Sequence, residues 1–261
     1  MCFEPDSLPP VPRITGAAVS HAQVELEAAD GNRFAAFEAT PDEPNGIGVV
    51  VLPDVRGLYR FYEELALRFA ERGYDAIAID YFGRTAGAAR RGDDFDYPEH
   101  VGQTTAEGIQ ADVRAAVERL GSKTRATFTV GFCFGGRNSW LAAASGHGLA
   151  GAVGFYGMPA YRDGVPGPTQ RAAELEAPIL ALQAGADQHI TAEMNDEFER
   201  ALAEAGVEHE LVIYEGAPHS FFDRRQEDFA EASEDAWRRV LEFLDRHSQT
   251  GGSGEPPSES R

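Results

Sequence analysis

Short apolar runs alternate with helical segments along most of this 261-residue chain, and this alternation constrains the fold more than any other feature. The runs are rich in β-branched residues and bounded by turn residues, as buried strands are. They are Ile47 to Leu52, Asp75 to Ile79, Thr127 to Val130, Ala152 to Phe155, Ile179 to Gln183 and Glu210 to Tyr214. Segments of helical periodicity separate or follow them: Phe61 to Arg72, Thr104 to Leu120, Gly136 to Ala144, Ala192 to Ala205 and Asp228 to His247. The pattern predicts an α/β fold with a mostly parallel central sheet and helices on both faces.

The two ends of the chain are predicted to lie outside this core. Residues 1–17 are rich in proline and are expected to form a loose lead-in. Two alternating segments, Val19 to Ala28 and Phe34 to Ala39, flank turn residues and predict an N-terminal antiparallel hairpin. Residues 248–261 have the composition of a linker and are expected to be disordered. A single domain is therefore predicted over residues 18–247.

Composition excludes several classes of partner. The formal net charge of -20 argues against nucleic acids and against anionic membrane surfaces. The N-terminus lacks the basic start and apolar run of a secretory signal, and no apolar stretch reaches the ~20 residues that span a bilayer. With only Cys2 and Cys133, no disulfide framework is possible. A cytoplasmic location is predicted, because an exposed reactive thiol oxidises elsewhere.

Cys133 lies at the centre of a glycine-rich turn between a predicted strand and a predicted helix, in the run Gly131-Phe132-Cys133-Phe134-Gly135-Gly136. A sharp Gly-x-nucleophile-x-Gly reversal exposes the central side chain, and small neighbours avoid a collision there. The helix N-terminus that follows favours a thiolate. The alternative is a buried, inert cysteine with glycines that allow the strand and helix to pack closely.

Two further loops carry groups that a cysteine nucleophile needs. Asp187 follows the predicted strand that ends at Gln183, and His219 follows the one that ends at Tyr214. A thiol of pKa ~8.5 is only a few per cent ionised at pH 7, so a histidine must accept its proton and an acid must orient that histidine. His189 competes for the role of base, but it is only two residues from Asp187, so we favour His219. The order nucleophile, acid, histidine is that of the α/β-hydrolases.

Negative charge that develops on a carbonyl oxygen also needs hydrogen-bond donors. The backbone amide of Phe134, directly after the nucleophile, is one candidate. The loop Pro53-Asp54-Val55-Arg56-Gly57, which follows the first parallel strand, is expected to supply the other through the Val55 amide.

The chain resembles the dienelactone hydrolase family of α/β-hydrolases over about residues 20–247. The resemblance rests on the cysteine turn, on Gly185-Ala186-Asp187, on Pro218-His219-Ser220-Phe221 and on four shorter segments. These four are Leu52 to Gly57, Arg72 to Tyr74, Asp80 to Arg84 and Gly154 to Gly157. The resemblance implies hydrolysis of enol-lactone esters without a metal or other cofactor. It also implies Cys133 as nucleophile, His219 as base and Asp187 as orienting acid.

The resemblance implies further site residues as well. A carboxylate near the resting thiol corresponds to Asp54, where well-known members carry Glu. Of two arginines that hold a substrate carboxylate, one corresponds to Arg84, and the position of the other is occupied by Asp223, with Arg224 and Arg225 just beyond. Arg56 and Arg60 are alternatives for that second role. Tyr156 and Phe221, with Tyr81 and Phe82, are either an apolar wall for the substrate or core aromatics.

The leading hypothesis is a monomeric hydrolase of small carboxylic esters or lactones that acts through an acyl-enzyme on Cys133. A non-catalytic ligand-binding or regulatory protein on the same fold is the alternative, since a fold does not determine function. A thiol redox sensor is disfavoured, because Cys133 has no resolving partner nearby in sequence. Residues 85–102 are predicted to form either a lid or a surface loop.

Overall fold

The computed structural model describes residues 7–92, 94–162, 164–222 and 228–249. The tail predicted to be disordered lies outside these ranges from residue 250 onward, as do the first six residues of the predicted lead-in. Asp223, Arg224 and Arg225 are also outside them.

Eight strands form one sheet in the order β1-β2-β4-β3-β5-β6-β7-β8. Their bounds are β1 Val19–Glu27, β2 Arg33–Pro41, β3 Ile47–Leu52, β4 Asp75–Ile79, β5 Ala126–Phe132, β6 Gly151–Phe155, β7 Ile179–Ala184 and β8 His209–Tyr214. β1 and β2 form the antiparallel hairpin, and β2 pairs antiparallel with β4. β3 to β8 all run parallel. The predicted α/β fold with its N-terminal hairpin is confirmed.

Seven α-helices connect or follow the strands in the described ranges. They are α1 Arg60–Ala70, α2 Gly83–Ala86, α3 Tyr97–Val101, α4 Ala106–Gly121, α5 Phe134–Ala142, α6 Ala192–Ala205 and α7 Ala230–His247, and a 3₁₀ turn spans Ala172–Glu174. The single-turn helices α2 and α3 lie in or beside the segment predicted as a lid or loop, and they are too short to show helical periodicity. Across the described residues, no helix has both the length and the apolar content needed to cross a bilayer.

Both faces of the sheet are covered, which explains why the strands are continuously apolar. Val49 and Val51 of β3 belong to the same buried cluster as Phe61 of α1 and Trp237 of α7. Val50, between them, belongs to a second cluster on the opposite face, which includes residues of α4. Because β3 to β8 are parallel, the loops that follow them all meet at one edge, here called the carboxyl edge of the sheet.

Candidate active site

Cys133 is the single residue between β5 and α5, at the carboxyl edge of the sheet. Its backbone has φ 54° and ψ -110°, a conformation that non-glycine residues rarely adopt and that costs on the order of 1–3 kcal/mol. Hydrogen bonds hold it there: the Cys133 amide donates to the Phe155 carbonyl at 3.0 Å, and the Arg137 amide donates to the Cys133 carbonyl at 3.2 Å. The side chain remains partly exposed, so the turn presents the thiol at the surface of the carboxyl edge.

Two glycines allow this turn to pack closely. A Cβ atom at Gly131 would overlap the Gly135 carbonyl, and a Cβ atom at Gly135 would overlap the Leu52 and Pro53 carbonyls. The first turn of α5 therefore lies directly against the end of β3. This contact brings the nucleophile beside the loop that follows β3.

Asp187 and His219 come together at the ends of β7 and β8. The His219 Nδ1 atom lies 2.6 Å from the Asp187 Oδ2 atom, and the carboxylate side chain is fully buried. The other oxygen, Oδ1, accepts the backbone amides of His189 at 2.8 Å and Ile190 at 3.3 Å. Burial alone raises the pKa of the Asp187 carboxyl, but hydrogen bonds from His219 and the two amides outweigh it and lower the pKa below its ordinary value. An ionised carboxylate therefore faces the His219 ring.

The competing His189 contributes only its backbone to this arrangement. Its side chain is exposed, whereas the His219 ring is partly buried and hydrogen-bonded to Asp187. Asp187 thus holds the imidazole of His219, which lies on a separate loop. An acid bound to one ring nitrogen orients the ring so that the other nitrogen can act as a base.

Tyr156 connects the Cys133 turn with the His219 ring. It directly follows Phe155, whose carbonyl holds the Cys133 amide, and its ring centroid is 4.9 Å from that of His219. Among the described residues no hydrogen bond reaches the Cys133 sulfur.

Most backbone amides of the loop after β3, residues 53–58, donate hydrogen bonds that hold the loop in place. The Asp54 amide donates to the Tyr62 hydroxyl at 2.9 Å, and the Gly57 amide donates to the Asp54 carbonyl at 3.1 Å. The Arg56 amide donates to the Asp54 Oδ1 atom at 2.8 Å. The loop is therefore largely held by Asp54 itself.

Two residues that directly follow β4 also hold the loop after β3 in place. The Leu58 amide donates to the Asp80 Oδ1 atom at 3.2 Å, and the Tyr81 hydroxyl donates to the Pro53 carbonyl at 2.8 Å. Burial raises the pKa of the Tyr81 hydroxyl well above its ordinary value, and the nearby Asp54, Asp80 and Cys133 add to the effect. Tyr81 therefore keeps its proton and remains a donor.

One amide of the loop is left over. Within the described residues, the Val55 amide has no acceptor, and neither has the Phe134 amide in the first turn of α5. Val55 and Phe134 are both partly exposed, like Cys133 and His219. The two amides thus lie in the turn that carries Cys133 and in the loop against which α5 packs, and donors of this kind suit an oxygen that gains negative charge.

The sequence model described as "Dienelactone hydrolase family" matches residues 34–248. The chain belongs to the dienelactone hydrolase family. It is 30% identical over 272 residues to the carboxymethylenebutenolidase of Rhodococcus opacus, and the match covers 97% of this chain and 100% of that one. It is 31% identical over 240 residues to a protein of Yersinia pestis provisionally named carboxymethylenebutenolidase, covering 83% of this chain and 85% of the relative.

A solved structure agrees with this membership. The crystal structure of a protein from Klebsiella pneumoniae, provisionally named a dienelactone hydrolase, has a TM-score of 0.77 and 26% identity. The similarity covers 88% of this chain and 99% of that one. The sequence-based assignment to this family, and to a hydrolase of esters or lactones, is thereby confirmed.

Asp54, expected from the family resemblance to interact with the thiol, is engaged elsewhere in this structure. Its fully buried carboxylate receives the Arg56 guanidinium, with Nη2 at 3.1 Å from Oδ2 and Nε at 3.4 Å from Oδ1. The short Asp side chain, with an arginine only two residues further on, is thus bound within its own loop. No hydrogen bond joins Asp54 to the thiol among the described residues. A functional interaction between the two stays a prediction.

Arg84, expected to hold a substrate carboxylate, has two carboxylate partners of its own. Its Nη1 lies 2.6 Å from the Asp112 Oδ2 atom, and its Nη2 lies 2.6 Å from the Asp30 Oδ2 atom. Asp112 is fully buried on α4, so the arginine is needed there to neutralise a charge in the interior. The geometry gives no support to a substrate-binding role for Arg84, and it ties α2 to α4 instead.

Phe221, expected to line the substrate pocket, is fully buried. Its ring packs against Tyr156 at 5.6 Å and Tyr214 at 4.9 Å between centroids. Phe221 therefore belongs to the core in this structure, and it anchors the loop after β8 that carries His219. Tyr156 is also buried, but its contact with the His219 ring keeps it at the site.

Sequence reasoning missed Arg137, which organises the loop after β6. Its guanidinium donates to the carbonyls of Met158, Ala160, Val165 and Pro166 at 2.5–3.1 Å. The position four residues after the nucleophile, on the first turns of α5, is the signal that could have revealed it. Since the same helix carries the thiol, Arg137 fixes the β6 loop relative to Cys133.

The described part of the chain contains no group of three His, Cys, Asp or Glu side chains placed to hold a metal ion.

Proposed function

We propose that this protein hydrolyses small carboxylic esters or lactones through a Cys133-His219-Asp187 triad and an acyl-enzyme. The observation that carries the proposal is the 2.6 Å hydrogen bond between His219 and a buried, ionised Asp187, beside a strained turn that exposes the thiol. The name of the Rhodococcus opacus relative, carboxymethylenebutenolidase, supports a lactone as one substrate.

In the first half of the reaction, His219 takes the proton of the Cys133 thiol, and the thiolate sulfur forms a bond to the substrate carbonyl carbon. The carbonyl oxygen becomes an oxyanion that accepts hydrogen bonds from the Val55 and Phe134 amides. His219 then returns its proton to the leaving oxygen as the carbon–oxygen single bond breaks. A thioester remains on Cys133, and the alcohol departs from an ester or stays attached to the acyl chain of a lactone.

In the second half, His219 removes a proton from water, and the hydroxide attacks the thioester carbonyl. The same two amides accept the second oxyanion, and the carbon–sulfur bond breaks to release the acid. His219 finally returns its proton to the Cys133 sulfur. Asp187 stabilises the imidazolium in both halves, because it stays ionised and its Oδ2 atom accepts the hydrogen bond of the Nδ1–H group.

The setting of the enzyme follows from the same features. A partly exposed nucleophilic thiol remains active in a reducing compartment, so we place the protein in the cytoplasm. We infer a monomer that acts on small molecules, since a net charge of -20 favours solubility and self-repulsion.

Replacement of Cys133 tests the proposal. Wild type, Cys133→Ala and the control Cys2→Ala are assayed with a panel of lactones and activated aryl esters. We expect Cys133→Ala to lose turnover completely while its circular dichroism and thermal midpoint stay close to those of wild type, and Cys2→Ala to match wild type. Mass spectrometry of wild type quenched during turnover should detect the acyl group on the peptide that contains residue 133.

Unchanged turnover by Cys133→Ala would exclude the triad. A wild type that turns over none of the panel and returns a bound lactone intact would favour the alternative, a ligand-binding protein on this fold.

A further inference from the structure

Asp80, directly after β4, supports the loop of residues 53–58, here called the oxyanion loop. Its carboxylate is fully buried. Oδ1 accepts the Leu58 amide at 3.2 Å, and Oδ2 accepts the Phe82 amide at 2.9 Å. Gly57 has φ 81°, and a Cβ atom there would lie only 2.5 Å from Oδ1. The loop that carries the Val55 amide therefore rests directly on this carboxylate.

The charge of Asp80 is neutralised by Arg91, which lies in the segment between α2 and α3. Arg91 Nη2 is 2.8 Å and Nε is 3.2 Å from the Asp80 Oδ2 atom, and the arginine side chain is only 4% exposed. Its guanidinium also donates to the Ala86 carbonyl and lies over the Phe95 ring, 4.8 Å from the centroid. A buried carboxylate without such a partner would be strongly disfavoured.

The preceding residue, Arg90, provides a contrast within the same segment. Its side chain is 60% exposed and pairs with Glu63 of α1, Nη2 to Oε2 at 2.8 Å. Arg90 touches neither Asp80 nor the oxyanion loop in any described hydrogen bond. Two adjacent arginines therefore differ in burial and in the element that each one contacts.

We propose that Arg91 is a positioning residue for ester hydrolysis, acting through Asp80 on the Val55 amide. The inference rests on the proposed function, since it assigns to Val55 the role of oxyanion donor. Arg91 holds the Asp80 carboxylate in place through their ion pair, Asp80 accepts the Leu58 amide, and this contact fixes the direction of the loop.

Loss of Arg91 leaves the buried carboxylate without its ion-pair partner, so the carboxylate must draw in water or turn toward another donor. Either change shifts the carboxylate against Gly57 and moves the loop. A displacement of about 1 Å in a catalytic group can cost ~10²-fold in rate, and complete loss of an oxyanion donor costs ~10²–10³-fold. The effect falls on kcat, because the oxyanion exists only after attack.

The test compares Arg91→Met and Arg91→Lys with the matched control Arg90→Met. Three quantities are measured for each: kcat and KM with an activated aryl ester, the rate at which iodoacetamide alkylates Cys133, and the thermal midpoint. Alkylation breaks a carbon–iodine bond and forms no oxyanion, so it reports on the thiol alone. One further pair of variants, Asp80→Asn alone and Asp80→Asn combined with Arg91→Met, shows whether the arginine acts through the carboxylate.

We expect kcat to fall by roughly 10–10²-fold in Arg91→Met, with KM and the alkylation rate within threefold of wild type. Arg91→Lys should fall less, and Arg90→Met should match wild type. In the Asp80→Asn background, Arg91→Met should lose little more, because the asparagine still accepts the Leu58 amide and carries no charge to neutralise.

Equal kcat values for Arg91→Met and Arg90→Met would overturn the inference, and so would parallel losses of kcat and alkylation in Arg91→Met. If Arg91→Met does not fold, Arg91→Lys decides by the same two comparisons. Failure of the proposed function is a separate result, since it appears as turnover that survives in Cys133→Ala.

Discussion

Three non-glycine residues of the described chain have positive φ: Cys133 at 54°, Tyr156 at 36° and Ser220 at 65°. Cys133 and Tyr156 directly follow β5 and β6, and Ser220 follows His219 in the loop after β8. Each such conformation costs on the order of 1–3 kcal/mol and persists only where the surroundings enforce it. Backbone strain is thus concentrated around the candidate site. Cys133 carries the thiol, Tyr156 packs on the His219 imidazole, and Ser220 directly follows His219 in sequence.

Replacement of Asp187 by Asn tests the acid of the triad. The amide can offer its NH₂ group to His219 and stabilise the wrong tautomer, so we expect kcat to fall by roughly 10²–10⁴-fold for an aryl ester. His189→Ala is the matched control, because it removes the exposed neighbouring imidazole and keeps the backbone amide that Asp187 uses. A kcat for Asp187→Asn within threefold of wild type would remove Asp187 from the mechanism.

The same variant tests the lowered pKa of Asp187. A carboxyl group whose pKa in the folded state lies below its ordinary value of 3.8 stabilises the fold above that pH and loses this contribution as the pH falls through the lowered pKa. The difference in unfolding free energy between wild type and Asp187→Asn should therefore be constant at neutral pH and shrink below about pH 4. Urea unfolding at several pH values measures it, and a difference that grows on acidification would contradict the assignment.

At the scale of elements, the contact between α5 and the end of β3 couples the nucleophile to the oxyanion loop. Gly135→Ala forces a methyl group against the Leu52 and Pro53 carbonyls, which cannot move without shifting the loop. We expect a loss of about 1–3 kcal/mol, a thermal midpoint lower by several degrees and a kcat reduced by at least tenfold.

Gly121→Ala is the matched control for that change. Gly121 ends α4, and a Cβ atom there has no neighbour within 4 Å, so the thermal midpoint should stay the same or rise slightly. If Gly135→Ala behaved like Gly121→Ala in both stability and kcat, the coupling of helix and loop would be excluded.

The strands and long helices could be predicted because burial on both faces leaves a continuous apolar run, as in Ile47–Leu52. The placement of Cys133, Asp187 and His219 at one edge of the sheet could also be predicted, since loops after parallel strands meet there. The partners of the charged residues could not. Arg84 pairs with Asp30 and Asp112, which are distant in sequence, and only the packed structure brings them together.

At the scale of the whole molecule, the net charge of -20 should repel anionic substrates. Raising the ionic strength from about 0.01 M to about 0.15 M shortens the screening length from about 30 Å to about 8 Å. We expect kcat/KM to rise several-fold over this range for 4-nitrophenyl hemisuccinate, which is anionic, and to stay nearly constant for neutral 4-nitrophenyl acetate. A kcat/KM that falls with salt for the anionic ester would instead reveal a local cationic site.

The chain order of the catalytic strands has a consequence for synthesis on the ribosome. Cys133 and its turn emerge well before Asp187, and His219 emerges last, after β8. Domains generally fold as units during translation, and β7 and β8, the last strands of the sheet to be made, lie at its outer edge. Under the proposed mechanism, a nascent chain therefore carries its sulfur without a base, and its thiol stays inactive until most of the polypeptide has been made.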